Sequence, residues 1–197
     1  MEPSRQFLNV GGGNKNIPVP RHYLGWRHLM LDIDPAGKPD ILADARELTG
    51  IEPAQFDAVY CSHNLEHYFE HEVPKVLAGF LHVLRPDGFA EIRVPDVQQV
   101  MLAVAERGLD IEDGLYDAPA GAIRVRDVLY GFADKIARSG EDFFAHKTGF
   151  SPRSLIRVLN AAGFATVEPL RPRVFEIAVA AFRGEPDANM LAVLKAT

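Results

Sequence analysis

This sequence has a single cysteine, and it lacks long apolar runs and an excess of basic charge. Cys61 is the only cysteine, so no internal disulfide can form, and we expect a cytoplasmic protein. The longest uninterrupted apolar runs, residues 100–105 and 177–182, have six residues each. A membrane-spanning helix needs about 20, and residues 1–6 contain no apolar signal core. We therefore expect no membrane span and no export.

The charge balance is acidic. The 197 residues include 21 Lys and Arg against 27 Asp and Glu, a formal net charge of −6. Because binding along nucleic-acid phosphates needs a basic surface, we expect no nucleic-acid partner. A chain of this length buries enough apolar surface for one core, and we predict a single domain over residues 1–197. The oligomeric state is left open by these observations.

Short β-rich runs alternate with turns and helical segments in the first 96 residues. Between the last two runs, Pro74 begins a helix whose apolar stripe includes Leu77 and Leu84, and a turn at residues 86–88 ends it. A strand, a helix and a strand in that order form a right-handed crossover, so we predict a parallel sheet. The predicted strands are residues 7–10, 29–32, 41–43, 56–61 and 89–94.

Residues 97–147 have a different pattern, with predicted helices at 97–107 and 127–138 and a loop at 114–121 between them. We predict that this segment is a helical lid or insertion. Beyond it, Ser151 caps a helix that ends at Gly163. The remaining predicted elements are a strand pair, 166–168 and 175–182, and a terminal helix at 186–196.

Three consecutive glycines follow the first predicted strand directly. Glycines at the carboxyl end of a strand let the backbone turn sharply and approach a ligand closely. The dinucleotide pattern G-x-G-x-x-G needs a glycine where Asn16 stands, and no phosphate-loop Gly-Lys-Ser/Thr occurs. The segment is therefore a candidate ligand-binding loop without either phosphate signature, and an ordinary flexible turn is the alternative.

Acidic residues follow the next two predicted strands. Asp32 has the position and the spacing from the glycines at which a carboxylate accepts hydrogen bonds from ribose hydroxyls in a doubly wound fold. Asp34 follows it, and two solvated turn aspartates are the alternative. Asp44, after the third strand, is placed either to contact an adenine amino group or to cap the helical segment that follows.

The fourth strand runs into a segment with three of the seven histidines, His63, His67 and His71. The pattern His63-x-x-Glu66-His67 matches the inverted zinc-protease motif, in which two histidines and a glutamate bind zinc. That motif belongs inside a long helix, and here it begins directly after a strand, so we predict no metal site. We favour a place in a ligand cleft at the carboxyl end of the strand, and surface histidines are the alternative.

Six segments together carry a resemblance to a known family. They are, in chain order, LNVGGGNK, LDID, ADAREL, FDAVYCSHNLEHY, VLRPDGFAEIRVPD and FSPRSLIRVLNAAGF. In their order and spacing the chain resembles the class I S-adenosylmethionine-dependent methyltransferases, and most closely the small bacterial methyltransferases of the methyltransferase-11-like group. The resemblance covers residues 7–96 and 149–182.

The resemblance implies an α/β fold. We expect a Rossmann-like, doubly wound, mostly parallel seven-stranded sheet with helices on both faces and an antiparallel last strand. Pro18, Pro20 and Gly25 interrupt the region of the usual first helix, which we expect to be shortened or absent. The family's acidic residue two positions before the first glycine is Asn9 here, and its third glycine is Lys15. This difference implies that the backbone of residues 12–14 holds the cofactor's amino-acid end.

S-adenosylmethionine is the implied cofactor. Methyl transfer needs a positioned and desolvated nucleophile, with a general base where the acceptor is a hydroxyl or an ammonium. His63 and His146 are the candidate catalytic residues for that role. The implied cofactor-binding residues are Gly11, Gly12, Gly13, Asn14, Asp32, Ile33, Asp34, Asp44, Ala45, Ser62 and His63.

The function implied is methyl transfer to a small-molecule acceptor, a saccharide or another metabolite, with residues 97–147 closing the acceptor side. A noncatalytic S-adenosylmethionine-binding or scaffold domain with a degenerate site is the alternative, motivated by Asn9, Lys15 and the missing helix. A zinc hydrolase acting through His63, Glu66 and His67 is a third hypothesis.

Overall fold

The computed structural model describes residues 5–118 and 121–196. Its centre is a seven-stranded sheet with the order β3-β2-β1-β4-β5-β9-β8. β1 to β5 pair in parallel, whereas β9 is antiparallel to both β5 and β8. The predicted fold class is therefore confirmed. The sheet strands are β1 (Gln6–Val10), β2 (Arg27–Asp32), β3 (Ile41–Leu42), β4 (Phe56–Ser62), β5 (Leu84–Pro95), β8 (Thr166–Pro169) and β9 (Glu176–Phe182).

The helices largely follow the sequence signals. Ser151 accepts a hydrogen bond from the Ser154 amide at the start of one helix, and Gly163 ends it in the left-handed conformation. None of the helices among the described residues is long and apolar enough to cross a membrane. The α-helices are α1 (Val73–Val83), α2 (Val97–Arg107), α3 (Val125–Tyr130), α4 (Ala133–Ser139), α5 (Pro152–Ala162) and α6 (Ala188–Ala196).

One face of the sheet is covered by α1 and α5. Their apolar stripes, which include Leu77, Phe80, Leu155 and Leu159, are fully buried against strand residues of the same cluster. Each such side chain contributes roughly 1.5–3 kcal/mol by leaving water. This packing fixes the strand ends from which the loops of the candidate site emerge.

The opposite face is covered without a first crossover helix, as predicted. Between β1 and β2 the described chain forms only a single 3-10 turn, Arg21–Tyr23. The ring of Tyr23 stacks on Phe7 at 4.3 Å between centroids and meets Trp26 edge-on at 5.5 Å. These aromatic residues form one buried cluster with Leu194 of α6, so an aromatic stack takes the place of a helix.

Residues 97–147 differ from prediction in two places. The predicted loop at 114–121 is a β-hairpin of β6 (Gly114–Ala118) and β7 (Gly121–Arg124), and its residues 119–120 lie outside the described part of the chain. Leu115 on β6 packs with Val100, Val125 and Val128 in a small separate core, which explains why the segment is ordered as strands.

The predicted single helix at 127–138 is also wrong, because the chain forms two helices, α3 and α4, separated at Gly131. Gly131 has φ +82, and a Cβ there would lie 2.4 Å from the Phe144 carbonyl oxygen. The returning segment thus passes too close for a helix to continue.

The predicted turn at residues 86–88 is wrong too, because these residues belong to β5. The pairing register of β5 with β4 shifts there, between Phe56 and Ala58.

Candidate functional site

A cavity of about 830 Å³ lies beside the residues that follow β1, β2 and β4. The strand order reverses between β1 and β4, and open α/β sheets bind ligands at this switch point, outside the carboxyl ends of the strands. One wall comes from these loops and the other from residues 132–147. The volume is in the upper part of the range for small-molecule sites, about 300–1,000 Å³.

The glycine loop brings bare backbone to the cavity. Gly11 and Gly13 have φ +69 and +67, which L-residues rarely adopt. A Cβ at Gly11 would lie 2.1 Å from Nδ2 of Asn64, so the close approach of these two segments requires glycine. Gly12 is not part of the cavity wall, and a Cβ there would meet the Asn9 amide beneath the loop at 2.5 Å.

Asp32 joins the glycine loop to the end of β2. Its carboxylate is 8% exposed and accepts hydrogen bonds from the Gly13 amide at 2.8 Å and the Asp34 amide at 2.9 Å. The two bonds use different oxygens, so each oxygen keeps a second lone pair for a ligand hydroxyl. Asp32 therefore shapes the loop and also lines the cavity.

Asp44 has both of the roles that its sequence position allowed. It caps the 3-10 helix Ala45–Gly50 by accepting from the Arg46 amide at 2.8 Å, and it lines the cavity. Burial raises the pKa of Asp44, but the hydrogen bonds from Arg46 outweigh that effect and leave the pKa lowered. Arg46 also pairs with Glu72. Ala45 is 1% exposed and lies behind the cavity wall.

The two departures from the family pattern are both turned away from the cavity. Nδ2 of the buried Asn9 lies 3.2 Å from Nε2 of His28. Burial and the neighbouring Lys15 lower the pKa of His28, so the neutral ring can accept this hydrogen bond. Lys15 itself forms an ion pair with Asp40 at 2.6 Å. Asn9 and Lys15 thus stabilise the first crossover in this chain.

His63 lines the cavity with φ +51. Its Nε2 lies 3.1 Å from the Glu176 carboxylate and its Nδ1 lies 3.5 Å from Glu66. Burial disfavours the charged ring, but the two carboxylates outweigh it and raise the pKa of His63 to about 9. His63 is therefore an imidazolium at neutral pH.

His146 does not reach the cavity. Its ring meets the His67 ring edge-on at 4.8 Å between centroids, and its Nδ1 lies 2.8 Å from the Val128 carbonyl oxygen. Burial lowers the pKa of His146. The inverted zinc motif has no long helix, because residues 65–67 form one 3-10 turn. His63 also lies outside the group of close metal-ligand atoms that the described residues form, which is Glu66, His67 and His146.

A row of buried charges crosses the sheet behind His63. Glu176 also accepts from Arg93 at 2.8 Å, Arg93 donates to Glu91 at 2.8 Å, and Glu91 lies 2.8 Å from His22. This row was not predictable from the sequence, because its members meet only through the antiparallel pairing of β5 with β9 and through the 3-10 turn of the first crossover. The row holds Glu176, and through it His63, in a fixed place.

The cavity thus collects most of the predicted residues together with several that prediction missed. Ser62, like Gly12, Ala45 and His146, is not part of the wall. The predicted residues that line it are Gly11, Gly13, Asn14, Asp32, Ile33, Asp34, Asp44 and His63. His67, for which the sequence favoured a place in a ligand cleft, also lines the wall. Missed wall residues include Asn64 and Tyr68, which the motif after β4 contains, and Phe132, Lys135, Phe143, Phe144 and Lys147 of the opposite wall.

Comparisons with known proteins agree with this geometry. A family model described as a methyltransferase domain matches residues 8–92. A solved S-adenosylmethionine-dependent methyltransferase from Archaeoglobus fulgidus superposes with a TM-score of 0.58 at 14% identity, covering 91% of this chain and 86% of that one. A methyltransferase from Thermotoga maritima gives 0.56 at 13% identity, covering 92% and 83%. No curated protein sequence gives a significant match.

A further neighbour has its ligands bound. The 1,6-didemethyltoxoflavin-N1-methyltransferase of Burkholderia thailandensis, solved with 1,6-didemethyltoxoflavin and S-adenosylhomocysteine, gives a TM-score of 0.51 at 16% identity, covering 92% of this chain and 72% of that one. The chain has the fold of the class I S-adenosylmethionine-dependent methyltransferases, and residues 8–92 match the model of a methyltransferase domain. The predicted resemblance is confirmed for the fold and for the match over residues 8–92, and S-adenosylmethionine is the cofactor of this class.

The residues of the cavity fit that cofactor. The glycine loop leaves room where a Cβ would clash, and the Asp32 carboxylate keeps lone pairs for ribose hydroxyls. Oδ1 of Asn64, beside Gly11, is buried without a hydrogen-bond partner among the described residues. An unpaired buried acceptor costs about 1–3 kcal/mol, and a bound ammonium group would supply the missing donor. The amino-acid end of S-adenosylmethionine carries such a group.

Proposed function

We propose that this protein transfers a methyl group from S-adenosylmethionine to a small-molecule acceptor, a saccharide or another metabolite. The observation that carries the proposal is the continuity of one cavity, which has the glycine loop and Asp32 on one side and residues 132–147 on the other. The cofactor when bound supplies an electrophilic methyl group on a sulfonium. Binding both partners in one cavity supplies the positioning that such a transfer needs.

In this proposal one wall of the cavity binds the cofactor and the other binds the acceptor. Asp32 and Asp34 hold the ribose, Asp44 borders the adenine, and the backbone of residues 11–14 with Asn64 holds the amino-acid end. The segment 97–147 is the lid of the acceptor side. Its wall places Lys135 Nζ 3.6 Å over the Phe144 ring, so it offers an apolar surface with a fixed positive charge.

His63 is the cavity-facing member of the two histidines proposed for catalysis. In the proposal it contacts the acceptor, because it lies beside the glycine loop at the carboxyl end of β4. His146 does not line the cavity, but its ring packs against that of His67, which does. The proposal keeps the cytoplasm as the site of action, since the fully buried Cys61 has no disulfide role.

The alternative of a noncatalytic cofactor-binding domain has its own support. Asn9 contacts His28 and Lys15 pairs with Asp40. The acidic residue and the third glycine that the family has at these positions, near the amino-acid end of the cofactor, are therefore absent. Titration calorimetry with S-adenosylhomocysteine, followed by a search for turnover of S-adenosylmethionine with metabolite fractions, separates the two. Binding with turnover supports the enzyme, binding without turnover in any fraction supports the alternative, and no binding at millimolar ligand refutes both.

A further inference from the structure

Glu66 is a buried carboxylate without a hydrogen bond. Its side chain is 1% exposed, and neither of its oxygens has a hydrogen-bond partner among the described residues. Nδ1 of His63 lies 3.5 Å away and Nε2 of His146 lies 4.0 Å away. A buried ionised carboxylate costs several kcal/mol unless it is paired and hydrogen-bonded, or coordinates a metal. Both contacts involve Oε1, so the His63 imidazolium offsets part of the charge while Oε2 stays available to a further cation.

Two histidines beside Glu66 present the same nitrogen. Nδ1 of His67 lies 3.0 Å from the Ala145 carbonyl oxygen, and Nδ1 of His146 lies 2.8 Å from the Val128 carbonyl oxygen. A carbonyl oxygen only accepts, so each Nδ1 donates its hydrogen there and Nε2 is the nitrogen left to bind a metal ion. This outer hydrogen bond is the one that orients metal-binding histidines.

The three side chains converge. Each offers one ligand atom, and these atoms lie within 4.8 Å of one another. Ligands on a four-coordinate zinc ion, with bonds of about 2.0–2.2 Å, are roughly 3.3–3.5 Å apart, so small side-chain rotations close the site. Two imidazoles and one carboxylate are a donor set of zinc and related transition metals rather than of magnesium or calcium.

We propose that Glu66, His67 and His146 bind one divalent transition-metal ion of the zinc class. The set differs from the sequence motif, because His63 is engaged with Glu176 and His146 replaces it. The ion lies behind His67, outside the part of the cavity that fits the cofactor. The proposal does not depend on methyl transfer.

The ion joins two parts of the chain. Glu66 and His67 lie on the 3-10 turn after β4, whereas His146 lies at the end of the segment 97–147. The same two parts already share backbone hydrogen bonds, from the Lys147 and Thr148 amides to the Glu66 carbonyl at 2.8 and 3.1 Å. A metal bound there holds the end of the lid on the core, and it stabilises the folded chain by an amount that grows with the logarithm of its concentration relative to Kd.

The test uses the whole chain after treatment with a chelator. Zn²⁺ is titrated against a chromophoric chelator, and Co²⁺ binding is followed by visible absorption. We expect one ion per chain and a rise in the unfolding temperature. His146→Gln and Glu66→Gln should each weaken zinc binding by about 100-fold or more, beyond the loss caused by removing an outer hydrogen bond. The matched control His71→Gln, a nearby histidine outside the cluster, should bind zinc as the parent does.

Failure of the proposal is distinct from a folding defect or from failure of the proposed function. Each variant is checked by near-ultraviolet circular dichroism and by S-adenosylhomocysteine binding, which the metal proposal does not involve. Absence of stoichiometric zinc binding, or equal zinc affinity in folded His146→Gln and parent protein, overturns the proposal. Loss of zinc in His63→Gln but not in His146→Gln also overturns it, because the ion would then belong to the sequence motif.

Discussion

Replacing Asp32 tests the central assignment of the cavity. The substitution Asp32→Ala removes two bonds from backbone amides to a carboxylate, those of Gly13 and Asp34. Hydrogen bonds to charged groups contribute about 1.5–3 kcal/mol each. Because the Gly13 amide lies on an exposed loop and can bind water instead, we expect a loss of about 1–3 kcal/mol in the free energy of unfolding.

The effect on cofactor binding should be larger than the effect on the fold. If Asp32 accepts from the ribose hydroxyls, its loss removes those bonds and also loosens the glycine loop. A combined loss of about 2–4 kcal/mol corresponds to a roughly 30- to 1,000-fold rise in Kd. Titration calorimetry with S-adenosylhomocysteine gives Kd, and thermal unfolding without ligand gives stability. Asp32→Asn, which keeps one acceptor oxygen, should fall between Asp32→Ala and the parent.

A matched control lies near the amino end of β4, at the other end of the strand from the cavity. Asp57 also accepts from a backbone amide, that of Gln6 at 2.7 Å, and pairs with Arg85 at 2.6 Å. Asp57→Ala should therefore reduce stability comparably and leave Kd unchanged within about twofold, as expected for distant sites. A folded Asp32→Ala protein with the affinity of the parent would refute the assignment of Asp32 to the ribose.

Three further predictions concern Gly11, Glu176 and Cys61. Gly11→Ala places a methyl group against Asn64 at a positive φ, so S-adenosylhomocysteine binding should be lost while α-helical circular dichroism remains; retained affinity contradicts the glycine-loop assignment. Burial opposes ionisation of Glu176, but His63 and other partners lower its pKa from 4.5 to about 2. Its contribution to stability, about 3 kcal/mol, is present above pH 4.5 and lost as the pH falls toward 2. Glu176→Gln should flatten that part of the stability curve, measured by urea unfolding, and an unchanged slope rules the shift out. Burial raises the pKa of the Cys61 thiol, so it should react with thiol reagents only on unfolding, and fast labelling of the native protein would show that Cys61 is accessible.

The cofactor side was predictable because its signals are local. The glycines after β1 and the acid after β2 lie within a few residues of the strand ends that position them, and Pro18 and Pro20 were enough to predict the missing helix. Such features depend on backbone rules that act over one turn or one strand. The cavity therefore forms where the sequence places it.

The segment 97–147 was less predictable because its contacts are distant in sequence. Gly131 interrupts a helical pattern only because residues 144–146 return against it, and the position of His146 behind His67 depends on that return. The pairing of Arg93 with Glu176 joins residues 83 positions apart. No periodicity within either segment indicates these contacts, so the hairpin, the helix break and the buried charges required the structure.

The aromatic stack that replaces the first helix has a practical consequence. Trp26 is the only tryptophan of the chain, its ring meets Tyr23 at 5.5 Å, and the Arg5 guanidinium lies 5.3 Å from its centroid. Its fluorescence therefore reports on one crossover alone, with the Tyr23 ring close enough to pass excitation energy to it. A shift in its emission measures the loosening of this face of the sheet, independently of events in the cavity at the strand ends.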